Sequence, residues 1–113
     1  MRSKIVALSK SEEFKKLLKK KKISNNYVTI FYGHLDNKDI KKLNISFVTK
    51  KKIGNAVQRN KIKRRLRNIM NDAVKNISIK FNFSYLVICK ASVLNSNYTN
   101  IKETLFQEFK RIK

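Results

Sequence analysis

One stretch limits this chain more than any other. Gly54-Asn55-Ala56-Val57-Gln58-Arg59-Asn60-Lys61-Ile62-Lys63-Arg64-Arg65-Leu66-Arg67 opens on a glycine and a capping residue and continues as a helix with two unlike faces. Asn55 can accept hydrogen bonds from the orphan amides of a first turn, and Gln58 can reach back as in a capping box, so a helix is expected from Ala56. Gly54 can turn the backbone out of a preceding extended segment. Ile62, Leu66, Ile69, Met70, Ala73, Val74 and Ile77 then recur at spacings of three and four, one apolar stripe facing a core. At about 100° per residue, Asn60, Lys61, Arg64, Arg65, Arg67 and Asn68 fall on the opposite half.

A charge run usually marks a solvated helix face, but such faces mix signs, because like charges at i,i+4 destabilise a helix by a few tenths of a kcal/mol per pair. Here no acid follows Lys50 until Asp72, and four of the six arginines lie between positions 59 and 67. The guanidinium fork grips phosphate through two parallel hydrogen bonds, whereas lysine acts as a point charge. The pattern points to a nucleic-acid backbone. With 28 Lys+Arg against 7 Asp+Glu, a formal charge of +21 and a pI near 10.4, the chain calls for a polyanionic partner.

The run Lys51-Lys52-Ile53-Gly54-Asn55-Ala56-Val57-Gln58-Arg59-Asn60-Lys61-Ile62-Lys63-Arg64-Arg65-Leu66-Arg67 resembles the signature of the bacterial ribonuclease P protein component, K-x-G-N-A-V-x-R-N-x-x-K-R-x-x-R. The likeness extends more loosely over almost the whole chain. It implies a protein that binds a catalytic RNA and the 5′ leader of precursor tRNA and assists removal of that leader. The cleaving groups and their Mg2+ would sit with the RNA subunit. It also implies RNA binding by Lys51, Lys52, Arg59, Asn60, Lys61, Lys63, Arg64, Arg65 and Arg67. Lys50 stands where a serine is usual, Asn44-Ile45-Ser46 replaces a common R-x-G, and Lys90 replaces an arginine.

At 113 residues the chain, 1–113, reads as one RNA-binding domain, able to bury about two thirds of its unfolded surface. No apolar run approaches the roughly 18 residues of a spanning helix and no signal-peptide pattern opens it, so a cytoplasmic protein away from membranes is expected. The lone Cys89 reads as a small buried residue, and His34 has no ligand cluster around it.

Ser9 and Ser11 before Glu12 and Glu13, then Phe14, Leu17 and Leu18 ahead of the Lys19–Lys22 run, predict a short helix over about residues 10–20. Phe14 is a core anchor or, by the resemblance, part of a cleft for the single-stranded leader. Leu18 stands where a second cleft aromatic is common, and Tyr32 matches a further one; a strand-edge tyrosine with a wet hydroxyl is the plain alternative. Residues 26–32 and 43–49 read as strands that pair in a hairpin, the second with Leu43, Ile45 and Phe47 toward the core. Residues 83–90, the longest apolar run, read as a buried central strand. If that strand lies parallel to 43–49, the basic helix is the crossover, which the resemblance makes left-handed against the general right-handed rule. A last helix starts at Ser96 or Asn97, with Tyr98, Ile101, Leu105, Phe109 and Ile112 as its stripe and Glu103, Gln107 and Glu108 among its outward residues.

The expected fold is an α+β sandwich, αβββαβα with one short extra strand or αββαβα without it, around a central mixed sheet. No Ser/His/Asp set, paired carboxylates, Gly-rich phosphate loop or metal-ligand spacing appears, so no catalytic or metal-binding residue is assigned to the protein. The competing readings are a basic ribosomal or RNA-chaperone protein and a DNA-binding helix protein. DNA is disfavoured, since no second helix stands at helix-turn-helix spacing and a sheet with cleft aromatics suits single-stranded RNA.

Overall fold

The computed structural model describes residues 5–8, 11–36, 38–39 and 41–112. Ser9 and Lys10, placed at the start of the first helix by the sequence, lie outside them. In chain order the elements are β1 (Ile5–Val6), α1 (Ser11–Leu18), β2 (Lys21–Ser24), β3 (Val28–Gly33), β4 (Leu43–Val48), a 3-10 turn (Lys51–Ile53), α2 (Ala56–Asn76), β5 (Ser84–Cys89), α3 (Ser92–Asn95) and α4 (Tyr98–Arg111). The expected order αβββαβα holds once the two-residue β1 and one-turn α3 are added.

The five strands form one mixed sheet, β1-β4-β5-β3-β2. β5 runs parallel to β4, with Phe47 opposite Val87, and antiparallel to β3, with Ile30 opposite Val87. The expected hairpin between 26–32 and 43–49 is therefore wrong. β5 separates the two strands, and β3 takes β2 as its hairpin partner instead, Ile23 facing Ile30. The reason lies in burial: Ser84-Tyr85-Leu86-Val87 is buried without a break, and a strand apolar on both sides gains most at the centre of a sheet.

Alternation sorts the side chains to two faces. Val28, Ile30, Ile45, Tyr85, Val87 and Cys89 pack under the α2 stripe Ile62, Leu66, Ile69, Met70 and Ala73 and the α4 stripe Ile101, Leu105 and Phe109. On the other face Leu86, with half-buried Phe31, Val48 and Ile88, meets Leu17 and Phe14 of α1 together with Leu8 and Leu35. The Leu8 amide donates to Ser46 Oγ at 2.8 Å, fastening the N-terminal segment over that face. Ser46 and Asn44, which alternation alone sends to solvent, are buried because of this cover, and Asn44 Nδ2 donates to the Asp39 and Lys42 carbonyls.

Tyr85 is fully buried, donates its hydroxyl to the Lys80 carbonyl at 2.8 Å and meets Phe109 edge-on at 5.2 Å. Burial, with the neighbouring Tyr32 adding to it, pushes the Tyr85 hydroxyl well above its ordinary pKa. The same cause pushes the buried Cys89 thiol up to about 12, against a smaller opposing pull from Lys63, so it behaves as an apolar side chain. Lys102 Nζ lies 2.9 Å from Asp72 Oδ2 and ties α4 to α2; this hydrogen bond raises the lysine's pKa. Glu108, expected outward, is mostly covered and stands 3.9 Å from Arg111.

The capping box forms as the sequence predicts. The Gln58 amide donates to Asn55 Oδ1 at 2.8 Å, and the Asn55 amide to Gln58 Oε1 at 3.0 Å. Gly54, however, has another purpose than the one read from sequence. Its φ of 171° is extended backbone open to any residue, but a Cβ there would run into Gln58 Oε1 and stand 3.2 Å from Gln58 Cβ. The glycine makes room for the glutamine that closes the box. Gly54→Ala should therefore cost stability in the native background, because displacing Gln58 gives up a hydrogen bond worth about 0.5–1.5 kcal/mol. In a Gln58→Ala background, where only the 3.2 Å approach to the residue-58 Cβ remains, the same change should cost less. Urea unfolding of the four-member cycle measures this, and an equal effect of Gly54→Ala in both backgrounds would contradict it.

Candidate nucleic-acid interface

The interface is built on α2. Its buried stripe fixes the helix's rotation, which leaves Asn60, Lys61, Lys63, Arg64, Arg67 and Asn68 exposed and Arg59 and Arg65 half-covered at the margins. Ile77, the last residue of the expected stripe, lies just past the helix as its C-cap, with its amide bonded to the Ala73 carbonyl. The approach to Gly54 is a 3-10 turn and not the extended stretch expected: buried Ile53 anchors it, and Lys51 and Lys52 stand exposed beside the helix start. Val57, next to them, is 75% exposed.

The comb does not stand apart from the first helix. Phe14, Ser46, Val48 and Thr49 line a groove of about 540 Å³ together with Lys63, Arg64 and Arg67. One wall is an aromatic ring on α1, the floor is the β4 edge of the sheet, and the other wall is cationic. Phe14 is half-buried against the small core under α1, and its ring also lines the groove. Thr49 Oγ1 is buried there without a hydrogen-bond partner. A second groove of about 410 Å³, at the far ends of β4 and β5, is lined by Thr29, Ile88, Lys50, Lys52 and Lys90. Lys90 Nζ donates to Ser24 Oγ at 2.8 Å and to the Asn25 carbonyl at 2.5 Å, bracing that end of the sheet.

Of the other cleft residues named from the sequence, Leu18 is 47% exposed at the end of α1, one helical turn beyond Phe14. Tyr32 is not with them. It lies on the α2 and α4 face, its ring 5.8 Å from that of Phe83 and 6.4 Å from that of Tyr85. Phe31, its neighbour, is the β3 aromatic on the α1 side. A shift of one residue along a strand exchanges faces, so a small misalignment in the preceding loop is enough to choose the wrong ring. Ser46 was missed for a related reason, since a polar position alternating with Ile45 and Phe47 reads as wet until something is known to cover it.

The acids are drawn into ion pairs or scattered. Glu13 pairs with Lys38, Asp72 with Lys102 and Glu108 with Arg111, and Asp36 lies 3.5 Å from His34 Nε2. Among the described residues no three of His, Cys, Asp and Glu come together as a metal-binding group. His34 Nδ1 stands 3.3 Å from the Asn82 carbonyl. No helix among the described residues is long and apolar enough to cross a membrane.

Comparison with known proteins gives the chain a family. A family model for ribonuclease P matches residues 3–113. The ribonuclease P protein component of Mycoplasma mycoides is 33% identical over 106 residues, covering 94% of each chain, and that of Carboxydothermus hydrogenoformans is 34% identical over 110 residues, covering 94% of this chain and 90% of the relative. In fold, the ribonuclease P protein of Thermotoga maritima superposes with a TM-score of 0.80 over 96% of this chain and 98% of its own, at 24% identity. A mutant of the Staphylococcus aureus ribonuclease P protein does so with 0.78 over 94% and 86%, at 23% identity. The chain thus belongs to the ribonuclease P protein component family, the protein subunits of the ribonucleoprotein enzyme that processes the 5′ ends of tRNA.

Proposed function

We propose that the protein binds the catalytic ribonuclease P RNA through the α2 comb and its approach, Lys51, Lys52, Arg59, Asn60, Lys61, Lys63, Arg64, Arg65 and Arg67. In this reading it holds the single-stranded leader of precursor tRNA in the groove of Phe14, Ser46 and Val48. The observation that carries this reading is the shared groove: Phe14 and the cations Lys63, Arg64 and Arg67 line one depression about 540 Å³ in volume. A single strand asks for such a site, an apolar ring on which a base stacks and cations for its phosphates. A solvated helix face has no use for the ring, and a duplex-only binder has none for the depression.

The protein's chemistry is then positional. It offers phosphate contacts and one stacking surface, and it lowers the repulsion between two polyanions that Mg2+ otherwise has to offset. Three of the seven acids, Glu13, Asp72 and Glu108, are engaged by cationic side chains. Mg2+ is assigned to the RNA subunit.

Reconstitution is the test. Protein alone, cleared of contaminating nuclease, should leave precursor tRNA intact at any magnesium concentration. With its RNA partner it should lower the magnesium needed for cleavage at the mature 5′ end. A protein that binds RNA but leaves that requirement unchanged would be a ribosomal or chaperone protein instead.

The comb predicts a linear fall of log affinity for the catalytic RNA with log salt, about 0.7–0.9 per phosphate contact, and Arg64→Ala or Arg67→Ala should make the slope shallower by about one contact. Filter binding across a salt series reads this, and unchanged slopes would remove the comb from the interface.

Phe14→Ala should weaken substrates with a single-stranded leader by about 1–3 kcal/mol while leaving mature tRNA alone. Equal losses for both would return Phe14 to a purely structural role.

A further inference from the structure

The interface above leaves one charged surface unused. Between Lys15 and Lys22 the chain has six lysines and no acid. Two ordinary duties account for some of them. Lys15 and Lys16 complement the α1 dipole in its last turn, and Lys21 and Lys22 guard the exposed edge strand β2 against stray pairing. These duties do not explain why Lys16, Lys19 and Lys20 converge with His34 and Leu35 around a cavity of about 280 Å³.

Lys20 is seated there and not left to swing free. A Cβ on Gly33, at the end of β3, would run into Lys20 Cδ and stand 3.1 Å from Lys20 Cβ, so the lysine stem lies flat on bare glycine backbone. The turn carrying it is fixed as well, with the Lys19 amide bonded to the Lys16 carbonyl at 3.2 Å and the Lys20 amide to the Leu17 carbonyl at 3.0 Å. Asp36 is the acid lining the cavity, and its carboxylate lies 3.5 Å from His34 Nε2. Nearby Glu13 is taken by Lys38. The local balance stays positive.

The lining contains neither arginine nor a Phe, Tyr or Trp ring, and its one imidazole, His34, has its nitrogens beside Asp36 and the Asn82 carbonyl. Three ammonium point charges with so little stacking surface suit phosphates whatever the base sequence, and so suit the backbone of folded RNA better than a splayed single strand. Position narrows the partner further. The sheet order sets β2 at the edge opposite β1 and β4, whereas the Phe14 groove opens along β4. A leader strand in that groove would have to cross α1 to reach the lysines, while a large RNA can wrap from one edge to the other.

We propose that Lys16, Lys19 and Lys20 form a second contact for the phosphodiester backbone of the catalytic RNA, at the opposite edge of the sheet from the arginine comb. This rests on the reading of that RNA as the partner. Salt-dependent binding of the full-length protein to the catalytic RNA and, separately, to precursor tRNA tests it. The Lys16→Ala, Lys19→Ala, Lys20→Ala triple variant should give a log–log slope shallower by about two for the catalytic RNA. A triple variant of equal charge loss elsewhere, Lys75→Ala, Lys80→Ala, Lys110→Ala, should keep the native slope. Gly33→Ala, which unseats Lys20, should reduce binding as Lys20→Ala does, and the two together no more than either. Melting temperatures of the variants report folding separately from binding. A native slope in the lysine variant, an equal loss in the control, or a loss confined to precursor tRNA overturns the proposal. Absence of salt-dependent binding by the native protein would overturn the parent reading with it, so the two failures are told apart.

Discussion

The arrangement depends on where β5 sits. A strand buried on both faces cannot stand at an edge, so Tyr85 to Val87 take the middle of the sheet and every other element is placed by reference to them. β4 must lie parallel to β5, and the chain between the two must cross a face of the sheet, a crossing made by α2. The helix that carries the arginines is thus the crossover of a parallel pair. Its apolar stripe is pinned on Ile45, Tyr85 and Val87, and its charged side is turned outward along the β4 edge. The placing of the cationic face follows from strand order.

A net charge of +21 would act against a compact chain of this size if it were spread evenly. It is managed by segregation. Among the described residues the core holds no charged side chain, and three acids meet cations where helices need fastening, Lys102 to Asp72 between α4 and α2, Lys38 to Glu13 beside α1, and Arg111 to Glu108 within α4. The Lys102–Asp72 and Arg111–Glu108 pairs, each open to solvent on at least one side, contribute a fraction of a kcal/mol at most. Their larger effect is on the remainder: acids paired elsewhere cannot neutralise the comb or the lysine cavity, which stay free for a polyanion.

The sequence made α2 legible almost to the residue, since capping and stripe are local patterns that packing had only to confirm. Strands β3, β4 and β5 were legible for the same reason, whereas β1 and the lysine-rich β2 carry too short or too polar a pattern to be read. Pairing was not, because hairpin proximity and central burial make opposite demands on β3 and β4, and burial decides only when β5 is considered along with them. The candidate site divided in the same way. The cationic residues announced themselves by clustering, but Ser46, Val48 and Thr49 became groove residues only through Leu8 and α1, which come from a distant part of the chain. The face of Tyr32 could not be fixed from sequence at all, because the period of a strand is two and one uncertain residue in a loop exchanges inside for outside.

The helical period also divides the comb. Around the α2 axis, with Arg64 at the crest, Lys63 and Arg67 fall on the flank toward Phe14 and the β4 edge, while Lys61 and Arg65 fall on the other. A helix of 21 residues is about 32 Å long, and apart from Lys75 in its last turn its cations all lie between Arg59 and Arg67. One phosphate backbone following the crest could therefore be met on its near side by a second strand lying against the Phe14 ring, with Arg64 within reach of both. Two RNAs brought side by side repel most strongly where their phosphates come closest, and that line is where the sequence concentrates guanidinium groups, the cations that can bridge two phosphates with separate forks of one planar group. The cap at Gly54, Asn55 and Gln58 fixes where the helix begins, and so fixes which cations fall on that line.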